Sequence, residues 1–440
     1  MKVLIVNGCS WHNKGDVSIR LSMIESLRGA LGSGTEISLL SMTPEIDAAH
    51  YGRYQARVLG WAVVTDFSRS KTYKVLSAAG SVTLLSLGAA LFRVLRIRPG
   101  RWIGADRKKL LEAYIDADLV ISSGGGFLSD NFPLAALLPN LFQLSLALLV
   151  NKPVVMYAQS IGPLKNRVFA FLTRMVINRA KVIMIREELS REWVTRLRLD
   201  RPKVHMTADA AFLMRPVDRD TARALLAKEG LDRKRPLVGM TVVKWSFPRL
   251  EEPGLKYRHY VKTIAEVADY LVEKHSVHIV FIEGVTDASG GGDRITTREV
   301  YDLVKNKDRV TVIREDYWPQ ELMGIMGEMD LFIGTRMHSN IFALISGVPV
   351  IAIAYGHKTH GIMGMMGLEK WVFPIETVQP DRLKSSIDEL WGQREAMKGY
   401  IAGRIELMRE QAARNPQIVK EFWESWPKRP TVPGKGGRDA

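Results

Sequence analysis

The sequence contains a single cysteine, Cys9, so it has no partner for an internal disulfide bond. A chain of 440 residues without disulfides must be stabilised by hydrophobic cores, and such scarcity of cysteine is typical of a reducing compartment. The first apolar run, residues 3–6, is far shorter than the hydrophobic region of a signal peptide. From both observations we expect a cytoplasmic protein.

The sequence also lacks the motifs of several large functional classes. There is no cysteine pair and no His-x-x-x-His pair, so we expect no metal site. There is no glycine-rich loop ending in the lysine of a P-loop, which argues against hydrolysis of nucleoside triphosphates. Basic residues are not interleaved with aromatics in a compact recognition module, so we expect no nucleic-acid partner.

What the chain does have is the composition of a soluble globular protein, with 46% apolar and 25% charged residues. Its length suits two or three domains. The net charge of +15 predicts an anionic partner. Charge alone leaves three candidates open: a nucleic acid, an acidic membrane surface or a phosphorylated small molecule.

Short apolar runs alternate with helical patterns along the whole chain, which predicts parallel, doubly wound α/β sheets. We predict strands at residues 2–7, 37–41, 118–122, 153–158, 182–186 and 204–206, and a second set at 237–243, 278–283, 310–314, 330–334 and 349–354. The sequence therefore predicts two Rossmann-like domains that face a cleft. We place the N-terminal domain at residues 1–225, the C-terminal domain with its closing helices at 226–426, and a disordered basic tail at 427–440.

Two uncharged stretches are marginal in length for crossing a bilayer, and polar residues dilute both. For residues 134–150 we expect a helix buried against the sheet. Residues 75–92 are followed by a basic cluster within 93–109. This second stretch is consistent either with a buried helix beside a solvated basic face or with a helix that lies on an anionic membrane.

Polar and glycine-rich motifs follow the predicted strands, at the sheet edge where ligands bind in this architecture. Glycines there allow backbone amides to approach an anion or a sugar closely. In the N-terminal half the candidate binding residues are Asn13, Asp16, Gly124, Gly125, Gly126, Asp130, Ser160 and Arg186. In isolation, Asp16 is equally consistent with a helix cap, and Arg186 with a surface charge beside a capping box.

In the C-terminal half, Arg336, His338 and Ser339 follow the strand at 330–334 and precede a helix. An arginine offers a forked donor to a phosphate or carboxylate, and a histidine can exchange a proton near neutral pH. Lys358 follows the next strand and adds charge at the same rim.

Taken in order, these motifs resemble those of the polysaccharide pyruvyl transferase family over about residues 1–370. The matching motifs are Asn13-x-Gly15-Asp16, Gly124-Gly125-Gly126-Phe127-Leu128-x-Asp130, Ser160-Ile161-Gly162-Pro163, Arg186-Glu187-x-x-Ser190, Arg336-x-His338-Ser339 and Gly347-Val348-Pro349-Val350-Ile351. The last of these is shared with many glycosyltransferases, so the N-terminal motifs discriminate better.

The resemblance implies a GT-B-like fold with the active site between the domains. It implies transfer of the pyruvyl group of phosphoenolpyruvate, as donor substrate and without a cofactor, onto two hydroxyls of a sugar in a lipid-linked glycan, with release of phosphate. By motif, His338 would transfer the proton, Arg336 and Arg186 would hold the donor, and Asp130 would orient or deprotonate the acceptor. These roles suit a peripheral protein at the inner face of the membrane, in cell-surface polysaccharide synthesis.

One departure from the family pattern lies within residues 283–297, where only Asp293 stands in place of paired acids. Two other functions stay open. The first is a glycosyltransferase or epimerase that uses a nucleotide sugar, although the loop after residue 354 offers no acid to hold a ribose. The second is a protein that binds an anionic surface without catalysis.

Overall fold

The computed structural model describes residues 1–8, 10–63, 71–131, 134–248, 250–286 and 292–427. Two parallel sheets form its framework, one in each half of the chain, in the orders β3-β2-β1-β4-β5-β6-β7 and β10-β9-β8-β11-β12-β13. Each order reverses direction beside the first strand of its half, which opens a crevice at the carboxyl ends of the strands. The predicted fold class is confirmed.

The N-terminal half consists of β1 (Lys2–Val6), α1 (Lys14–Leu31), β2 (Glu36–Ser41), α2 (Pro44–Tyr51), β3 (Ala56–Gly60), α3 (Lys71–Leu95), α4 (Ala105–Asp116), β4 (Leu119–Ser122), α5 (Leu134–Leu149), β5 (Val154–Gln159), α6 (Arg167–Ile177), β6 (Val182–Ile185), α7 (Glu188–Arg196) and β7 (Lys203–Met206). The central strands β1, β4, β5 and β6 are almost wholly buried runs of aliphatic residues, as expected where helices cover both faces of a sheet.

The C-terminal half consists of α8 (Arg219–Lys228), β8 (Leu237–Thr241), α9 (Pro253–His275), β9 (His278–Phe281), α10 (Asp293–Leu303), β10 (Val310–Val312), α11 (Pro319–Gly327), β11 (Leu331–Gly334), α12 (Met337–Ile345), β12 (Val350–Ala354), α13 (His357–Met365), β13 (Val372–Pro374), α14 (Pro380–Gly392) and α15 (Arg394–Ser425). Every strand predicted from the sequence is present. The sequence reading missed β3 and β13, which are short strands at the sheet edges with mixed burial.

The chain crosses between the halves twice. After β7 it enters α8, which packs against α11 of the second half, so the boundary placed after residue 225 falls inside this helix. At the end of the chain α15 returns to pack against α1, and the Asn415 side chain donates to the carbonyl of Ala208 at 2.9 Å. The predicted tail lies outside the described residues from position 428 onward.

The two uncharged stretches form α3 and α5, which pack side by side, and α5 also packs against α6. Helix α5 is largely buried, as predicted. Helix α3 is different: Leu85 and Ala89 are fully buried, whereas Val75, Leu87 and Val94 are half or more exposed. By length and composition alone its segment Val75–Leu95 could cross a membrane, and 22% of the most apolar 18 residues of that segment are buried.

Candidate active site

The loops at the carboxyl ends of the two sheets meet face to face. The backbone amide of Lys14, at the start of α1, donates to the carbonyl of Gly284 at 3.1 Å. The amide of Thr286 donates to the carbonyl of His12 at 2.9 Å. These bonds close one side of the cleft, so side chains from both halves reach a shared cavity of about 1800 Å³.

His338 belongs to the C-terminal half but is held against the N-terminal half. It lies in the first turn of α12, and its Nε2 is 3.6 Å from Oδ2 of Asp209, which follows β7. Its ring rests on the backbone of Gly15, where a Cβ atom would come within 2.1 Å of Nδ1. Glycine at position 15 is therefore required for this close approach.

Asp209 and Arg186 form a buried ion pair behind the histidine. Arg186 donates through Nη1 to Asp209 and through Nε to Oγ of Ser160, the latter at 2.8 Å. Burial would raise the pKa of Asp209, but the Arg186 guanidinium and the neighbouring His338 outweigh it and hold that pKa well below its ordinary value. Asp209 is therefore an anion that orients Arg186 and faces the imidazole.

A second carboxyl group, Glu187, lies beside this pair and is fully buried. It accepts hydrogen bonds from Ser160 and Ser190, and its Oε1 is 3.8 Å from Nε2 of His357. Burial raises the pKa of Glu187. Burial, followed by the charges of Lys358, Arg186 and His360, lowers the pKa of His357 to about 4.

These shifts predict a specific pH dependence of stability through His357. In the unfolded chain a histidine binds its proton near pH 6.5, whereas His357 in the folded protein does so only near pH 4. Between these values the unfolded state holds more protons, so the free energy of unfolding falls as the pH drops from 6.5 to 4. We expect His357→Gln to remove up to about 3 kcal/mol of this loss. Urea unfolding at pH 7.5, 6.5, 5.5 and 4.5 tests the prediction, and parallel curves for variant and wild type would contradict it.

Arg336 is held in place by Asp293, the acid that stands where the family pattern has paired acids. It precedes α12 and donates through Nε and Nη2 to Asp293, which is fully buried. Oδ2 of Asp293 also accepts from the amides of Gly284 and Val285, at 3.1 and 2.9 Å. A single buried carboxylate thus orders both the arginine and the loop after β9.

Lys358 brings a positive charge from the C-terminal half across the cleft. Its side chain lies on Gly126, where a Cβ atom would come within 2.5 Å of Nζ. Within the part of the chain that the structure describes, Lys358 makes no ion pair, in contrast to Arg186 and Arg336. The glycine run thus makes room for a cation whose charge is not already neutralised.

The structure brings most of the predicted residues to this cavity. Its lining includes Asn13, Asp16, Gly124, Gly125, Gly126, Arg186, Arg336, His338, Ser339 and Lys358. Asn13 is the N-cap of α1, and its side-chain amide donates to the carboxylate of Asp16 at 2.7 Å. Asp16 is therefore not the cap itself but holds the capping side chain in place. Ser160 is not among the residues that line the cavity, but its Oγ accepts a hydrogen bond from Nε of Arg186, which does line it.

Asp130, which is predicted to orient or deprotonate the acceptor, makes hydrogen bonds to backbone groups of a neighbouring loop. Its Oδ2 accepts from the amide of Asn166 at 2.8 Å, and its own amide donates to the carbonyl of Pro163. It is not among the residues that line the cavity. Its carboxylate therefore joins the loop after β4 to the loop after β5.

Neither Asp209 nor His357 was identified from the sequence, and Glu187 was included only as part of a motif. All three lie at or just beyond the end of a parallel strand, which is the same positional signal that identified Arg186 and His338. No group of three or more His, Cys, Asp or Glu side chains within the described ranges is placed to hold a metal ion.

Comparison with solved structures defines the class of fold. The chain is similar to Anabaena HepE in complex with UDP and glucose, with a TM-score of 0.61, 12% identity and coverage of 97% and 100% of the two chains. It is equally similar to a putative UDP-N-acetylglucosamine 2-epimerase from Listeria monocytogenes, with a TM-score of 0.61, 11% identity and coverage of 98% of each chain. The protein therefore has the two-domain fold of GT-B-type glycosyltransferases and sugar-nucleotide epimerases.

Sequence comparison then identifies the family. The family model for polysaccharide pyruvyl transferases matches residues 13–357. The chain is also 25% identical, over 414 residues, to the amylovoran biosynthesis protein AmsJ of Erwinia amylovora, covering 92% of this chain and 96% of that protein. The chain belongs to the polysaccharide pyruvyl transferase family, a family of transferases in polysaccharide biosynthesis.

Proposed function

We propose that the protein transfers the pyruvyl group of phosphoenolpyruvate onto two hydroxyls of one sugar in a lipid-linked glycan, forming a cyclic ketal. The observation that carries this proposal is the convergence of Arg186, Arg336 and Lys358 on the cavity that holds His338. A small trianion with a phosphate and a carboxylate suits three cations that line one cavity.

The reaction requires proton transfers that this cluster can perform. The methylene carbon of the enol gains a proton, which makes the central carbon electrophilic, and a sugar hydroxyl loses its proton as its oxygen attacks. Phosphate then leaves with the bonding electrons, and the second hydroxyl closes the ring. Of the two hydroxyl protons, one balances the new methyl group and the other leaves on phosphate.

We assign the proton transfer to His338, because its ring lies in the cavity and its Nε2 faces the anionic Asp209. A carboxylate at this position orients the imidazole, as an aspartate does for other catalytic histidines. Arg186 and Arg336 are already paired with buried carboxylates, so they offer the substrate rigid hydrogen-bond donors but little net charge. Lys358 supplies the net positive charge.

The direct test measures phosphate release from phosphoenolpyruvate with candidate glycan acceptors, together with detection of a pyruvyl ketal in the product. Binding of UDP-sugars is measured in parallel. Release of phosphate with ketal formation supports the proposal. Tight binding of a nucleotide sugar, with no phosphate release on any acceptor, would instead support the glycosyltransferase alternative.

We further propose that the enzyme works at the cytoplasmic face of a membrane, where lipid-linked acceptors are presented.

Lys358 has a separate, quantifiable expected effect on donor binding. In Lys358→Met the apolar stem is kept and the charge is lost, so the KM for phosphoenolpyruvate should rise about tenfold or more, since a hydrogen bond to a charged group contributes roughly 1.5–3 kcal/mol. We expect kcat to change less than KM. Steady-state phosphate release at fixed acceptor measures both. A matched control is Lys370→Met, which removes an exposed lysine paired with Glu389 far from the cavity. Equal KM values for Lys358→Met and wild type would contradict a role in donor binding.

A further inference from the structure

The cavity that holds the polar cluster extends well beyond it. Its volume of about 1800 Å³ exceeds the roughly 300–1,000 Å³ of typical small-ligand pockets. Phosphoenolpyruvate is a small molecule, and its binding groups occupy only the end formed by the strand-to-helix loops. The remaining space must therefore be explained by another ligand or by another part of the acceptor.

The outer end of this cavity is apolar and is formed by three helices. Its walls include Ala79 and Val82 from α3, Leu138 and Phe142 from α5, and Leu172 and Met175 from α6. Residues 75–92 and 134–149 contain no charged side chain. A sugar or a phosphate would lose its hydrogen bonds to water on entering this region, whereas a hydrocarbon chain would gain by burial.

The apolar end is continuous with the catalytic end because of the order of the elements along the chain. Helix α5 follows the glycine-rich loop after β4, and α6 follows the loop after β5 that contains Ser160. Both loops lie in or directly behind the polar cluster. A ligand whose polar head reaches His338 can thus extend its tail between the helices that begin at these loops.

The mouth of the apolar end is open. Leu138 and Met175 line the cavity and are each 43% exposed. The cavity therefore runs from the polar cluster to an opening between α5 and α6.

We infer that the space between α3, α5 and α6 binds the hydrocarbon chain of the lipid-linked acceptor, with its glycan in the cleft. This inference rests on the proposed function, because it concerns the acceptor of that reaction. It assigns the chain to the cavity itself, and not to the exposed outer face of α3.

The test compares two probes with the same charged head and different chains: isopentenyl diphosphate, with five carbons, and geranylgeranyl diphosphate, with twenty. Calorimetric titration below the micelle concentration gives the ratio of their Kd values. We expect the longer probe to bind at least about 100-fold more tightly, because many more methyl and methylene groups are buried. A ratio below about 3 would overturn the inference.

Two double variants separate the cavity from the helix surface. Leu138→Asp with Met175→Asp places charges in the cavity at exposed positions, and we expect the Kd ratio to fall below about 10. Leu87→Asp with Val94→Asp places charges on the outer face of α3, away from the cavity lining, and we expect the wild-type ratio to persist. Equal loss in both, or loss only in the second, would overturn the inference in favour of adsorption on the helix surface.

These binding measurements do not depend on turnover, so the two proposals fail separately. If the probes show the expected chain dependence and no acceptor yields phosphate from phosphoenolpyruvate, the proposed reaction is wrong and the lipid site stands. If transfer occurs and the Kd ratio does not depend on the cavity residues, the lipid site is wrong and the reaction stands.

Discussion

Replacement of His338 by glutamine should lower kcat for phosphate release by about 10²- to 10⁴-fold, the usual contribution of a positioned acid or base. Glutamine keeps hydrogen-bonding capacity and similar bulk but cannot carry a proton to the enol carbon. The KM for phosphoenolpyruvate should change little, since the arginines and Lys358 hold the donor. The side chain is only partly buried and its Nε2 is 3.6 Å from Asp209, so we expect the variant to fold normally.

The control for this variant is His360→Gln, which alters an exposed histidine on α13 outside the cavity lining. It should retain wild-type kcat. Initial rates with saturating donor and acceptor provide the measurement, with circular dichroism to verify folding. If His338→Gln kept more than a tenth of the wild-type kcat, the assignment of proton transfer to this residue would be wrong.

The second large effect is expected for Asp209→Asn, and it combines lost stability with lost activity. The substitution leaves the Arg186 guanidinium buried without its carboxylate, and breaking a buried ion pair costs about 3–5 kcal/mol. It also removes the negative charge that faces His338, so kcat should fall by about 100-fold or more even at temperatures where the variant is folded.

Two further variants separate these contributions. Asp116→Asn breaks an exposed pair with Arg98 outside the cavity lining, and should cost no more than about 1 kcal/mol with unchanged kcat. The double variant Arg186→Met with Asp209→Leu replaces the pair by apolar side chains and should recover stability without activity. Urea unfolding and phosphate release measure the two quantities. A fully active Asp209→Asn would show that this carboxylate has no part in the reaction.

The sequence predicted the framework well because both halves follow the rules of parallel sheets. Central strands such as β4 and β12 are continuous aliphatic runs, and loops rich in glycine and charge follow them. Strands β3 and β13 escaped prediction because each is a short apolar run interrupted by residues that strands disfavour, Gly60 at the end of β3 and Pro374 at the end of β13. Residues 75–92 left two interpretations open, since a helix with one buried face and one exposed apolar face has the same composition as either.

For the site, the position of a residue at the end of a strand indicated that it belongs to the site, whereas the residue that it pairs with could not be predicted. Arg186, Arg336 and His338 could be named because each directly follows a strand. Their partners could not, because Asp209 and Asp293 are brought to them by packing between segments distant in the chain: Asp209 lies 23 residues from Arg186, and Asp293 lies 43 residues from Arg336. The sequence likewise did not indicate that the Asp130 carboxylate accepts a hydrogen bond from the backbone amide of Asn166.

The contact between Gly15 and His338 makes the candidate active site depend on both halves of the protein. The imidazole comes from one half of the protein, and both its carboxylate neighbour and the glycine beneath it come from the other. The acid–base pair is therefore assembled only while the halves are together. Arg186 and Asp209 lie on one half, whereas Arg336, Lys358 and His338 lie on the other. In the proposed reaction, neither half alone therefore carries all the groups that bind the donor and transfer the proton.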